Sequence, residues 1–339
     1  MGRAETTHQH QRAHADALST RVSYTHRRRL SCGACRVAHD AEGLSRAGAS
    51  RSLQFDEMGI NDWSKRFAGM IIVKNLSLAY ASAAGAPQIL SDLSFEIAEG
   101  EFVAVMGPNG SGKTSLARCL NGILLPTSGE VIIDGLSTSD HTQLLEIRRR
   151  VGLVFQHPDD QMVAPTIERE IAFGLENLGI PRPEMQRRVE EMLALFELSH
   201  YRHHAPHQLS GGEKQRVALA AVLAMQPRHI VFDEPTSLLD YSSRVRFFET
   251  LASLRQKLQR LTIVHITQFS EEALFADRLL ILHQGKIVMQ GPPRELLQRV
   301  ADFEKIGLQP PVEFRVFEEY CKTNNVRLPL EEFMLSPIL

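Results

Sequence analysis

From residue 70 onward the sequence predicts an α/β fold, in which a mostly parallel sheet flanked by helices surrounds a phosphate-binding loop. Three observations carry this reading. Short apolar strands alternate with helical stretches, the pattern of helix-covered parallel sheets. One such strand runs into GPNGSGKT at residues 107–114. Another ends in the acidic pair Asp233-Glu234.

The 339-residue chain is 43% hydrophobic and 23% charged, enough to bury a full core, so one large domain with appendages is expected. A net charge of −2 gives no reason to expect nucleic-acid binding across a whole face. No stretch reaches the roughly 18 consecutive apolar residues of a membrane-spanning helix. The N-terminus also lacks the apolar region of a secretory signal. Cys32, Cys35, Cys119 and Cys321 are too scattered for a disulfide framework and fit a reducing cytoplasm.

Residues 1–69 differ from the rest. Eleven Lys/Arg against seven Asp/Glu give +4 here, so the remainder carries −6. Apolar residues are sparse and aperiodic, so the segment reads as a disordered extension, or as an upstream stretch read from a start set too early. Cys32 and Cys35 form a CxxC pair, which His26 and His39 would have to complete as a zinc site; alone, the pair is a weak signal. At Met70 a regular apolar pattern begins, with Ile71, Val73, Leu76 and Leu78.

The apolar strand Glu101–Met106 leads into Gly107, Pro108, Asn109, Gly110, Ser111, Gly112, Lys113 and Thr114, and a helical stretch with Leu116, Cys119 and Leu120 follows. This is GxxxxGKT between strand and helix, the context that the motif requires. Glycines let consecutive backbone N–H groups converge on a triphosphate, and the helix adds its positive end. Lys113 is expected to reach the β- and γ-phosphates of ATP, and Thr114 to bind Mg²⁺. A further strand, Val151–Phe155, ends at Gln156. Two amphipathic helices come next. One carries Ile167, Ile171, Leu175 and Leu178 and stops at Gly179; the other starts at Pro183 and carries Met185, Val189, Met192, Leu193 and Phe196.

His200, His203, His204 and His207 have helical spacing that would gather four imidazoles, but Pro206 interrupts the helix and a polar surface loop is the better reading. In LSGGEKQR, Ser210 reads as an N-cap, and Gly211 and Gly212 expose N–H groups at a second helix N-terminus. With one phosphate loop per chain, this second anion site must serve some other phosphate. His229 reads as a tolerated strand-start residue in the run that ends at Phe232. Asp233 would complete the Mg²⁺ shell, and Glu234 would orient or deprotonate the attacking water.

These motifs resemble the ABC ATPase family over about residues 70–295, with LSGGEKQR as its signature. The resemblance implies a P-loop NTPase of the ABC cassette type: a RecA-like mixed sheet core, an antiparallel β subdomain and a helical subdomain at about 157–209. The cassette would span 70–300, with a helical extension over 301–339. The resemblance also implies that Ser210, Gly211 and Gly212 reach the γ-phosphate of an opposing subunit. It implies that Gln156 touches Mg²⁺ or water, that Tyr80 stacks on adenine, and that Asp240, in PTSLLD, lies at the dimer interface. Where the family places a histidine against the γ-phosphate, this chain has Gln268 after Thr267. Glutamine donates a hydrogen bond but carries no charge, and His265, three residues earlier on the opposite strand face, is a poor substitute.

The cassette lacks the long coiled coils of DNA-repair relatives and the second cassette of translation-factor relatives, which favours a transport ATPase. FQHPDDQ at 155–161, TIEREIAFG at 166–174, and the tail with 306–311 and 326–332 resemble energy-coupling-factor ATPases. In that group two ATPases dock on a transmembrane coupling protein that holds a substrate-binding membrane subunit, for uptake of vitamins, cobalt or nickel. A peripheral place on the cytoplasmic membrane face is implied. The alternatives are a generic importer ATPase and a weakly hydrolysing nucleotide-binding partner in an asymmetric pair.

Overall fold

Strand patterns and glycine positions organise two sheets. A computed structural model describes residues 69–80 and 87–324, all within one compact unit, Met58–Leu339. The expected extension up to residue 68, with its CxxC pair, His26 and His39, lies outside the described residues, as does 325–339.

In the smaller sheet β1 (Ile71–Ala79) pairs antiparallel with β2 (Gln88–Ile97) and β4 (Ser128–Ile133), and β5 (Leu136–Ser137) extends β4. Ile71, Val73, Leu76 and Leu78 are all buried. Asn75, at φ 47°, shifts the register between Val73 and Leu76.

The larger sheet has the order β10-β9-β3-β8-β7-β6. β3 (Phe102–Met106), β6 (Val151–Val154), β7 (His229–Asp233), β8 (Thr262–Ile266) and β9 (Arg278–His283) are parallel, and β10 (Lys286–Gly291) closes one edge antiparallel. Every residue of β3, β6, β7 and β8 is buried, because both faces of these strands are covered.

The helices are α1 (Lys113–Leu120), α2 (Leu144–Arg150), α3 (Ile167–Asn177), α4 (Arg182–Leu195), α5 (Gly211–Ala224), α6 (Tyr241–Lys257), α7 (Ser270–Ala273), α8 (Pro293–Leu297), α9 (Val300–Lys305) and α10 (Val312–Asn324). α3, α4 and α5 share a core through Ile171, Leu175, Val189, Leu193, Val217 and Leu219. The same core takes in Val154 of β6 and Ile230 and Phe232 of β7, so these helices pack directly on the larger sheet. The apolar side of α1, with Leu116 and Leu120, packs between the two sheets. Phe303, Leu308 and Phe314 cover Ala104 and Met106 of β3 and Leu279 and Ile281 of β9, so the C-terminal helices pack on the sheet as far as they are described.

His200–His207 forms short 3-10 turns, Ser199–Tyr201 and Pro206–Gln208, and no group of three or more His, Cys, Asp or Glu able to hold a metal ion exists among the described residues. His229 is not merely tolerated. It is fully buried, and its Nε2 lies 3.0 Å from Asp134 Oδ1. Asp134, in the turn between β4 and β5, also accepts from Gly69 N at 2.8 Å and meets Arg150 and Arg228 at 3.3 and 3.4 Å. The sequence-local view missed it because its partners lie up to 95 residues away.

Candidate functional site

β3, β8, β7 and β6 are parallel neighbours, so their carboxyl ends meet at one edge, and the segment ending each strand holds candidate groups. Such an edge is where open α/β sheets bind ligands. At β3, the loop 107–112 turns tightly enough to require glycine. A Cβ on Gly107 would lie 2.1 Å from Leu282 O, and one on Gly112, at φ 104°, 2.6 Å from Leu90 Cδ2. Asn109 and Gly110 form the exposed tip, with Pro108 half-buried before them. Gly112 caps α1, whose N-terminus therefore faces the loop.

Lys113 is buried and donates to Gly107 O at 2.8 Å and Pro108 O at 3.2 Å; its Nζ is 3.6 Å from Glu234 Oε1. Thr114 Oγ1 donates to Asp233 Oδ1 at 3.2 Å. Burial pushes the Asp233 carboxyl above its ordinary range, opposed by the Thr114 hydrogen bond. Glu234 takes φ 48° and its N–H donates to Ile266 O at 3.0 Å, which pins the turn after β7 to β8. From the far side Gln156 Nε2 donates to Glu234 Oε2 at 3.0 Å. Five side chains from three elements thus gather at this edge in two contacting groups, Thr114 with Asp233 and Lys113 with Glu234 and Gln156.

The donors fit Mg²⁺: the Thr114 hydroxyl and the Asp233 carboxylate side by side are oxygen ligands of a hard cation, and the Gln156 amide, held on the neighbouring Glu234, can supply another. Ser111 Oγ is buried and has no hydrogen-bond partner among the described residues, as suits a group facing a polar ligand.

Tyr80 sits just past β1 with its hydroxyl 2.8 Å from Ser115 Oγ in the first turn of α1, while 61% of the residue is exposed. The ring is therefore anchored beside the phosphate loop and open to stacking. Ser210 caps α5 in a reciprocal box: its Oγ donates to Glu213 Oε2 at 2.7 Å, and Glu213 N points back at 3.4 Å. Tyr201 donates to Glu213 as well, and these bonds hold that carboxyl down at about 2. Gly211 is exposed, and a Cβ on Gly212 would come within 3.5 Å of Leu239 and Ser243. The signature glycines thus lie beside the turn that Asp240 caps, accepting from Ser243 N at 2.7 Å. Gln268 is exposed directly after β8. Glu272, Arg244 and Tyr201 carry contacts at these segments that no motif singled out; a glutamate buried on a short helix becomes visible only once the fold is known.

The family model for ABC transporters matches residues 90–237. The energy-coupling factor transporter ATP-binding protein EcfA1 of Clostridioides difficile (strain 630) is 43% identical over 263 residues, 78% of this chain and 91% of that protein. The chain belongs to the energy-coupling-factor type of ABC transporter ATPases. The cobalt import ATP-binding protein CbiO of Syntrophus aciditrophicus (strain SB) is 46% identical to this ABC ATPase over 71% of the chain and 85% of that protein. In structure it is similar to cbiO1 from Clostridium perfringens, part of the ABC transporter complex cbiONQ, with TM-score 0.62, 29% identity, and coverage of 73% of this chain and 98% of that one. It is also similar to the cassette MJ0796 in a dimeric post-hydrolysis state bound to ADP and Pi, with TM-score 0.61, 32% identity, and coverage of 66% and 99%. The ABC ATPase is an ATP hydrolase with the expected α/β cassette fold.

Proposed function

We propose that this chain is the ATPase of an energy-coupling-factor importer of a vitamin or of cobalt or nickel ions. In this reading it pairs with a second ATPase subunit and docks on a transmembrane coupling protein that holds the substrate-binding membrane subunit. It works at the cytoplasmic face of the membrane. The observation that carries the proposal is the gathering at one sheet edge of Thr114 on Asp233 and of Lys113 and Gln156 on Glu234. The import role is supported by relatives named for energy-coupling-factor transport and cobalt import.

Lys113 leaves the Gly107 and Pro108 carbonyls to pair with the β- and γ-phosphates, while loop N–H groups cradle them. Mg²⁺, held by Thr114, Asp233 and Gln156, would neutralise phosphate charge. Glu234, held by Gln156 and facing Lys113, orients the attacking water or takes its proton. Tyr80 stacks on adenine. Ser210, Gly211 and Gly212 meet the γ-phosphate of the second subunit, with Asp240 at the same interface.

Lys113→Ala is expected to abolish tight ATP binding, whereas Glu234→Gln keeps binding, stops turnover and traps an ATP-bound dimer. Unimpaired steady-state hydrolysis by Glu234→Gln within the partner complex refutes the assigned role. A second reading, a slowly hydrolysing member of an asymmetric pair, is favoured by one observation, the exposed Gln268 after β8.

A further inference from the structure

Behind the reacting groups the molecule buries a charged cluster to which this mechanism gives no task. Glu272 on α7 is 2% exposed. His265 of β8, fully buried, donates from Nε2 to Glu272 Oε2 at 2.9 Å, and Thr267 Oγ1 donates to the same oxygen at 2.5 Å. Arg244 Nε of α6 lies 3.5 Å from Glu272 Oε1, an ion pair without a hydrogen bond between the two atoms. The rings of Phe102, Phe232, Phe247 and Phe248 surround His265 at 5.4–6.2 Å between centroids. Burial pushes the Glu272 carboxyl up, but the His265 hydrogen bond and charge, with the Thr267 hydroxyl, outweigh it and leave it low. Apolar side chains of similar volume would hold α7 to β8 at least as well, since buried ion pairs seldom add net stability. Packing alone gives little reason for these charges.

The bonds of the cluster converge on the segment after β8. Thr267 is fixed at its hydroxyl by Glu272 and at its N–H by Val105 O, 3.1 Å away. The same hydroxyl accepts from Phe269 N at 3.0 Å. The Phe269 ring lies 3.9 Å under the Arg244 guanidinium. Both neighbours of Gln268 are therefore held by groups that touch Glu272. Arg244 N donates in turn to Asp240 O at 3.0 Å, in the first turn of α6. A single carboxylate thus links the Gln268 segment to the turn that carries Asp240.

We propose that Glu272 is a positioning residue for ATP hydrolysis: through Thr267 and Arg244 it sets where Gln268 stands and couples that position to the Asp240 turn. The proposal rests on the reading above in which Gln268 meets the γ-phosphate and Asp240 faces the second subunit. A displacement of about 1 Å in a group at a reacting phosphate is enough to cost up to about 100-fold in rate. Affinity for ATP stays with the phosphate loop and Tyr80, which the cluster does not touch.

The test is steady-state ATPase of the assembled complex with Glu272→Gln, Thr267→Val, Gln268→Ala and the double variant Glu272→Gln/Gln268→Ala. Glu272→Gln and Thr267→Val are each expected to lower kcat about 10–100-fold, with KM for ATP within about 3-fold of wild type. On the Gln268→Ala background, Glu272→Gln is expected to lower kcat further by less than about 2-fold, because the two residues act as a unit. Multiplying losses in the double variant overturn the proposal. So do a wild-type kcat in Gln268→Ala, or a KM that rises in step with the fall in kcat. Thr267→Val, nearly isosteric, carries the test if Glu272→Gln does not fold. Failure of the underlying site reading shows separately, as continued turnover in Glu234→Gln.

Discussion

Gln268 stands at the carboxyl end of β8, exposed, beside the strand that ends in Asp233. The motif resemblance leads one to expect a charged imidazole here, and the amide offers only a neutral hydrogen bond. His265 does not replace it, since its ring is buried against Glu272 and four phenylalanines. A contribution of acid–base size is about 10²–10⁴-fold in rate, and glutamine recovers part of it. Gln268→His is therefore expected to raise ATPase activity of the reconstituted complex while leaving ATP affinity nearly unchanged. Steady-state rates of wild type and variant decide the matter. If the variant is no faster and the wild-type chain alone is an active homodimer, the asymmetric-pair reading fails.

Among the elements, the β4–β5 turn shows what local patterns can and cannot carry. GPNGSGKT and LSGGEKQR were legible because each is a contiguous run whose glycines and cap residues act on their own backbone, and the structure has a helix starting at each. The strand ending in Asp233-Glu234 was legible for the same reason. Asp134 was not, because nothing in the sequence around an aspartate in a turn announces His229, Arg150, Arg228 and Gly69 as its partners. Glu272 escaped notice likewise. Burial raises the Asp134 carboxyl, but the His229 hydrogen bond and charge, the Gly69 N–H and Arg150 hold it below its ordinary value. Its stabilisation is thus complete above the unfolded carboxyl range and fades as pH falls through the lower folded value, below about pH 4. Asp134→Ala removes the partner of the buried His229 and of Arg228, while Arg150 keeps Glu146 at 2.9 Å, and a loss of about 3 kcal/mol is expected. Denaturant titration of wild type and variant at neutral pH checks this, and a difference under about 1 kcal/mol contradicts it.

For the molecule as a whole, the C-terminal helices belong to the packing of the sheet. Phe303, Leu308 and Phe314 cover Ala104 and Met106, and Met106 immediately precedes the phosphate loop. Each buried large apolar side chain contributes about 1.5–3 kcal/mol. Ending the chain at Arg299 is accordingly expected to lower Tm by roughly 10 °C or more, read by differential scanning fluorimetry. A Tm within about 2 °C of the full chain would mean that these helices contribute nothing to the core.

The parallel edge where β3, β8, β7 and β6 end also acts as a ruler. Its graduations are the spacings between hydrogen-bonded strands, about 4.8 Å each, and they are set by main-chain pairing such as Val105 with Ile266 and Phe232 with His265. Side-chain changes in the core can loosen how the ruler is mounted, but they leave its marks in place. Only a one-residue slip in a strand would rewrite them, by turning every group on that strand to the opposite face. A calibrated backbone of this kind explains how the chain can hold glutamine at 268 while Thr114 stays on Asp233, and Lys113 and Gln156 stay on Glu234.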